Sequence, residues 1–171
     1  PAVLATYRER GVLRRLATTP ARPVALLGAQ LAMSLLIAVV SAALVLLVGR
    51  FAFGVAFPAR FGAFVAAFLL GCAAVFAVGL VIAALAPSGK AANSIGTLLF
   101  FPSMFFAGLW TPREVMPAVI QRIGDFTPLG AGERALHEAA TGSWPALLAV
   151  AVLTGYVVVF GAAAAKLFRW E

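Results

Sequence analysis

None of the chain's 13 basic or 6 acidic residues falls within four apolar stretches, 24–48, 61–85, 91–110 and 145–165, which together hold more than half of its 171 residues. A soluble core demands no such segregation, because a surface helix in water keeps a polar face and these stretches have none. At about 1.5 Å rise per residue each would form a helix of roughly 30 to 37 Å, against a hydrocarbon layer about 30 Å thick. The sequence therefore predicts an all-α membrane protein with four transmembrane helices. The alternative, a soluble bundle with a very apolar interior, is disfavoured by 63% hydrophobic residues and a mean hydropathy of +1.04, since soluble domains are roughly 45–50% apolar.

The charge outside the spans sets the orientation, because cytoplasmic loops are enriched in Lys and Arg. With the amino terminus inside, Arg8, Arg10, Arg14, Arg15, Arg22, Lys90, Lys166 and Arg169 lie on the inner side, and Arg50, Arg60, Arg113, Arg122 and Arg134 on the outer. Both ends of the chain are then cytoplasmic. Trp110, Trp144 and Trp170 fall at span boundaries, where an indole ring sits half-buried with its N–H wet. The net charge of +7 does not point to nucleic acid, since the basic residues are spread over span ends and do not converge on one surface.

Residues 1–23 read as a cytoplasmic segment: a short helix with Leu13 and Leu16 among arginines, then a bend at Thr18, Thr19, Pro20 and Pro23. Residues 24–171 form the transmembrane domain. The loops 49–60 and 86–90 are short and suit antiparallel neighbours, whereas 111–144 is long and carries prolines at 112, 117 and 128. In it Val115, Met116, Val119, Ile120 and Ile123 recur at helical spacing opposite Glu114, Gln121 and Arg122, and Gly124 with Asp125 end the pattern. Pro128 to Gly132 read as a connector to a second short helix, Glu133 to Ala140, stopped by Gly142. Two amphipathic helices in the outer loop would lie on the membrane, or dip into it and return where protein covers their backbone.

Catalytic signatures are missing. Ser88-Gly89-Lys90 looks like the end of a phosphate-binding loop, but Ala84 and Ala91 stand where glycine and Ser or Thr are required. His137-Glu138 opens like a zinc-protease helix and lacks the second histidine, so no metal site and no cofactor is expected, and His137 reads as an exposed loop residue. Cys72 is the only cysteine, which excludes an intrachain disulfide. No carboxylate or lysine lies within a span, which argues against a self-contained proton or sodium pump.

The polar residues left in the spans are neutral: Gln30, Ser34 and Ser41, then Asn93, Ser94, Thr97 and Ser103, then Thr154 and Tyr156. Helix-to-helix hydrogen bonding is one role for them. The other is a cavity lined by span three, with Asn93 and Thr97 near its inner end and Phe100, Phe101 and Met104 above. Ala67, Gly71, Ala74 and Val78 of span two form a small-residue stripe suited to close backbone packing.

In this order and spacing the chain resembles the carboxy-terminal portion of a type-2 ATP-binding-cassette exporter permease, a class that includes drug-resistance and polysaccharide-export membrane subunits. The resemblance is carried by Tyr7-Arg8-Glu9-Arg10-Gly11-Val12-Leu13-Arg14-Arg15-Leu16 with Thr19-Pro20, by Phe105-Phe106-Ala107-Gly108 with Pro112 and Met116-Pro117, by Phe126-Thr127-Pro128-Leu129, and by the close Leu167-Phe168-Arg169-Trp170-Glu171. Ala107 stands where the family often has serine. The family typically has six spans, so two would precede Pro1.

The resemblance implies a multi-pass protein of a bacterial plasma membrane, acting in efflux. A separate ATP-binding-cassette ATPase would dock on Tyr7, Glu9, Arg10, Leu13, Arg14, Arg15 and Leu16, and a second permease copy, identical or not, would complete the path. A basic helix resting on anionic lipid is the plain alternative for that segment. The outer helices would be held by Pro112, Val115, Pro117, Ile120 and Pro128. The function implied is export of a hydrophobic or amphipathic compound, drug-like or lipid-linked, through a chain that is itself not an enzyme. The alternative is a non-transporting anchor or assembly protein that uses loop 111–144 to hold a partner.

Overall fold

The computed structural model describes residues 23–167, which form six α-helices: α1 Pro23–Phe53, α2 Phe61–Leu85, α3 Gly89–Phe106, α4 Ala118–Asp125, α5 Pro128–Thr141 and α6 Leu147–Leu167. A 3-10 turn, Arg113–Val115, links α3 to α4, and no strand occurs among the described residues. The expected docking segment, Tyr7 to Leu16, lies outside the described residues.

Helix ends follow local chemistry. Helix α2 occupies its expected limits, while α1 runs past Val48 to Phe53 and stops where Gly54 turns to φ +68°. Helix α3 begins at Gly89 because the Ser88 hydroxyl accepts the Ala91 N–H, and it ends at Phe106 because Gly108 adopts φ +86°. Leu109 and Trp110, expected at the end of a span, therefore fall outside the helix. Pro102 inside α3 removes one backbone donor, and the next residue, Ser103, gives its hydroxyl to the Leu99 carbonyl at 2.7 Å.

The outer connection departs from expectation in two places. Pro112 and Pro117 are extended, with ψ 138° and 141°, so Val115 sits in the 3-10 turn and α4 starts only at Ala118. Pro128 to Gly132 form the first turns of α5 and not a connector: Thr127 accepts the Gly130 N–H at 3.1 Å, and a proline at the first helical position loses no bond. His137 is exposed on α5, within the stretch Glu133 to Ala140 expected to be helical.

The small-residue stripe of α2 is where the fold closes. Helix α2 packs most extensively against α6 and next against α5. Ala67 and Ala74 meet Ala131 and Ala135 of α5 and Ala149 and Leu153 of α6 in one buried cluster. A Cβ placed on Gly71 would stand 3.9 Å from the Gly132 Cα, so the two backbones are in near contact. Helix α1, by contrast, touches α2 only thinly. Its large side chains stay exposed, Val45 by 72% and Phe51 by 82%, an apolar surface that water would not tolerate.

Three helices, α1 from Gly28, α2 and α6, are long and apolar enough to cross a bilayer. Helix α3 is not among them, because Lys90, Asn93, Ser94 and Thr97 dilute its 18 residues.

Candidate functional site

Helices α1, α2 and α3 enclose a groove of about 520 Å³. Helix α2 supplies its floor with Val75, Phe76, Gly79 and Ile82, and Leu129 at the start of α5 closes one end. Gln30 and Ser34 face in from α1; Asn93, Thr97, Phe100 and Ser103 face in from α3. Both polar pairs are four residues apart, which puts each pair on one side of its own helix.

The groove is chemically two-ended. Gln30, Ser34, Asn93 and Thr97 gather toward the Lys90 end, and none of their side chains makes a hydrogen bond among the described residues. At the other end Phe76, Phe100 and Leu129 dominate, and the one hydroxyl there, on Ser103, is already donated to Leu99. No ionisable side chain lines the groove. Gln30 and Ser34 are half-buried, and Asn93 and Thr97 are exposed, so all four stay open to a ligand that both donates and accepts hydrogen bonds.

Of the five residues placed on a substrate path by the sequence, Asn93, Thr97 and Phe100 line the groove. Phe101 is about 100° further round the helix, 54% exposed, its ring edge-on to Phe100 at 6.2 Å. Met104 is half-buried outside the lining. Gln30 and Ser34 were visible in the sequence only as polar residues of another span; their four-residue spacing is the signal that flags them, and no local pattern says which helix they face.

The corner between α4 and α5 sits deep along its neighbours. The Tyr156 hydroxyl donates to the Phe126 carbonyl at 3.1 Å, and Tyr156 lies about 14 Å along α6 from its start. From that depth α5 runs back along α2 to its beginning, where the Ala59 and Arg60 N–H groups donate to the Ala140 and Ala139 carbonyls at 3.1 Å each. Arg60 Nε donates to the Gly142 carbonyl at 2.6 Å, and its guanidinium stacks 4.8 Å from the Trp144 ring centre. Pro128 opens α5 and lines the deep end of the groove, while Ile120 is half-buried on α4 and Val115 is 70% exposed.

An ionic chain that the sequence did not reveal locks this corner. Asp125 accepts from Arg113 at 2.6 Å and pairs with Arg134 at 3.1 Å; Arg134 also donates to Glu138 at 2.9 Å, and Glu133 stands 4.0 Å from Arg113. Glu138 further accepts the Ala146 N–H just before α6. Hydrogen bonding to Glu138, joined by the charge of Asp125, holds the Arg134 guanidinium above its ordinary value against the opposing pull of burial. Only the Arg134/Glu138 spacing was legible beforehand. Among the described residues no group of His, Cys, Asp and Glu could hold a metal ion.

Searches of curated proteins and of solved structures return no match. A family model described as ABC-2 type transporter matches residues 1–141. With helices long and apolar enough to span a bilayer around a groove, and a match that covers most of its length, this chain belongs to the ABC-2 type transporter family.

Proposed function

We propose that the chain is the membrane-spanning permease subunit of an ATP-driven exporter that carries a hydrophobic or amphipathic compound from the cytoplasm or inner leaflet outward. The observation that supports this best is the two-ended groove, uncharged throughout, beside a helix that is barely attached. A separate ATP-binding-cassette ATPase drives it, docked on Tyr7, Glu9, Arg10, Leu13, Arg14, Arg15 and Leu16, and a second permease copy, identical or not, completes the path. Helix α3 serves as a fourth span, its polar side chains turned to the groove, and α4 with α5 re-enter the membrane from outside with Pro112, Pro117 and Pro128 at their bends. Both ends of the chain face the cytoplasm of a bacterium, and the role is efflux, including of antibiotics.

The mechanism follows from unequal packing. Helices α2, α5 and α6 form one block through the alanine cluster, and the ionic chain fixes α4 to it. Helix α1 comes six residues after the docking segment in the sequence and rests on α2 by a thin contact. Closure of the ATPase on its nucleotide would tilt α1 against the block and change the width of the groove, so the free energy of binding ATP sets which state is populated.

The test is charge reversal, Arg14→Glu with Arg15→Glu, in the full-length protein. The ATPase should cease to co-purify while membrane insertion persists. Undiminished co-purification would remove the docking segment from the reading, and transport that proceeds without ATP would remove the reading itself.

A further inference from the structure

We infer that the groove between α1, α2 and α3 recognises an amphiphile with an uncharged, hydroxyl-bearing head, the head held by Gln30 and Asn93 and the apolar body lying toward Phe100 and Leu129. This deepens the exporter reading and rests on it.

The head is specified by the donors and acceptors that face it. Gln30 and Asn93 each present an amide that both donates and accepts, and Ser34 and Thr97 add hydroxyls that do the same. All four point into one cavity without partners among the described residues. A sugar-like or polyol head offers the same mixed character at close spacing and satisfies both sides at once. A charged head would enter a space with no counter-charge in its lining, at the desolvation penalty of an unpaired ion. Lys90, one turn before Asn93, is exposed and lies outside the lining, so it does not supply that counter-charge within the groove.

The body is specified by the other end. Val75, Phe76, Phe100 and Leu129 are apolar, and Ser103 has spent its hydroxyl on its own helix. Polar and apolar ends are therefore in the order a lipid-like molecule has in the leaflet on the Lys90 side. Access runs sideways, because α1 makes its principal contact with α2 and leaves the α3 side open.

Photolabelling tests this in the full-length protein, purified with its ATPase and placed in lipid nanodiscs. Two probes with the same photoreactive alkyl chain are compared, one an alkyl glucoside and the other an alkyl phosphate, and labelled peptides are located by mass spectrometry. The glucoside should label 28–38 and 89–103, and the phosphate should label them about five-fold less. Gln30→Leu and Asn93→Leu, which keep a span apolar and helical, should each lower glucoside labelling about five-fold, the size expected of one hydrogen bond. Asn93→Gln, which keeps the amide, should retain it. Equal labelling by both probes, preference for the phosphate, or leucine variants that label like the parent would overturn the proposal. ATPase retained on a permease whose groove stays unlabelled overturns this inference alone. A labelled groove with no ATPase bound supports the site and overturns the exporter reading.

Discussion

Replacing Gly130 by alanine should loosen the corner that carries α4 and α5, although the change adds a single methyl group to a helix. A Cβ at Gly130 would stand 2.3 Å from the Gly124 carbonyl oxygen, 2.8 Å from the Gly124 carbonyl carbon and 2.9 Å from the Thr127 hydroxyl. Two of these are backbone atoms, so the methyl group has no flexible chain end to push aside. Overpacking of this kind costs about 2 kcal/mol. The displaced Thr127 hydroxyl would also lose the Gly130 N–H that it accepts at 3.1 Å, and a lost helix cap costs about 1 kcal/mol. The sum of about 3 kcal/mol corresponds to a fall in melting temperature of about 6–12 °C for a chain of this size. The assay is thermal unfolding of the detergent-solubilised protein, followed by size-exclusion chromatography after heating. Gly62→Ala is the control, since a Cβ there meets nothing within 4 Å, and it should leave the melting temperature unchanged or raise it. Thr127→Val should cost about 1 kcal/mol alone, and combined with Gly130→Ala it should cost less than the sum, because the cap is already gone. A Gly130→Ala protein that melts with the parent would refute the close approach at this corner, and strict additivity would refute the part assigned to the cap.

Asp125→Asn, which leaves Arg113 and Arg134 facing a neutral amide, should lower stability by about 2 kcal/mol, a partly exposed version of the cost of breaking a buried pair; Arg122→Ala, on the exposed side of α4, should be neutral in the same melt. Because the Arg134 value is raised, its share of stability is complete below the ordinary arginine range and is lost only as pH climbs through the higher, folded value. The melting difference between the parent and Arg134→Gln should therefore stay constant from about pH 7 to about pH 10, and a decline inside that window would contradict the pairing. Cysteines placed at Ser143 and Lys90 in a Cys72→Ala background should react with an impermeant maleimide from outside and inside respectively; Lys90 is preferred to Ser88 because the Ser88 hydroxyl caps α3. Reversed labelling would invert the orientation.

Three of the spans were legible because exclusion of charge over 20 or more residues is a property of the chain read one residue at a time. Helix α2 shows this best, since the apolar stretch 61–85 coincides with its helical limits. Local chemistry that opposes a composition rule was harder to read. Gly130 and Gly132 look like loop residues, yet both are helical; at Gly130 the Gly124 carbonyl leaves no room for a side chain, whereas a Cβ at Gly132 would make ordinary contact with Gly71 at 3.9 Å. At Gly130 glycine is required by a carbonyl six residues back, brought close by the turn between α4 and α5. The groove was half-legible for the same reason: Asn93, Thr97 and Phe100 declare a face of α3, but their meeting with Gln30 and Ser34 depends on how three helices lean. The ionic chain was least legible, since Arg113 reaches Asp125 over a turn set by Pro112 and Pro117, and no periodic pattern spans that distance.

The clasp of Arg60 on Gly142 has a consequence for biogenesis. The two residues are 82 positions apart, so at roughly 5–20 residues per second the ribosome delivers the second some 4 to 16 seconds after the first. Within that interval α2 is itself synthesised, and until Gly142 follows, Arg60 lacks the carbonyl it will hold. Assembly is thus completed from the far side of the chain, and a translational pause or premature stop before Gly142 leaves a half-built hairpin for quality-control proteases to find.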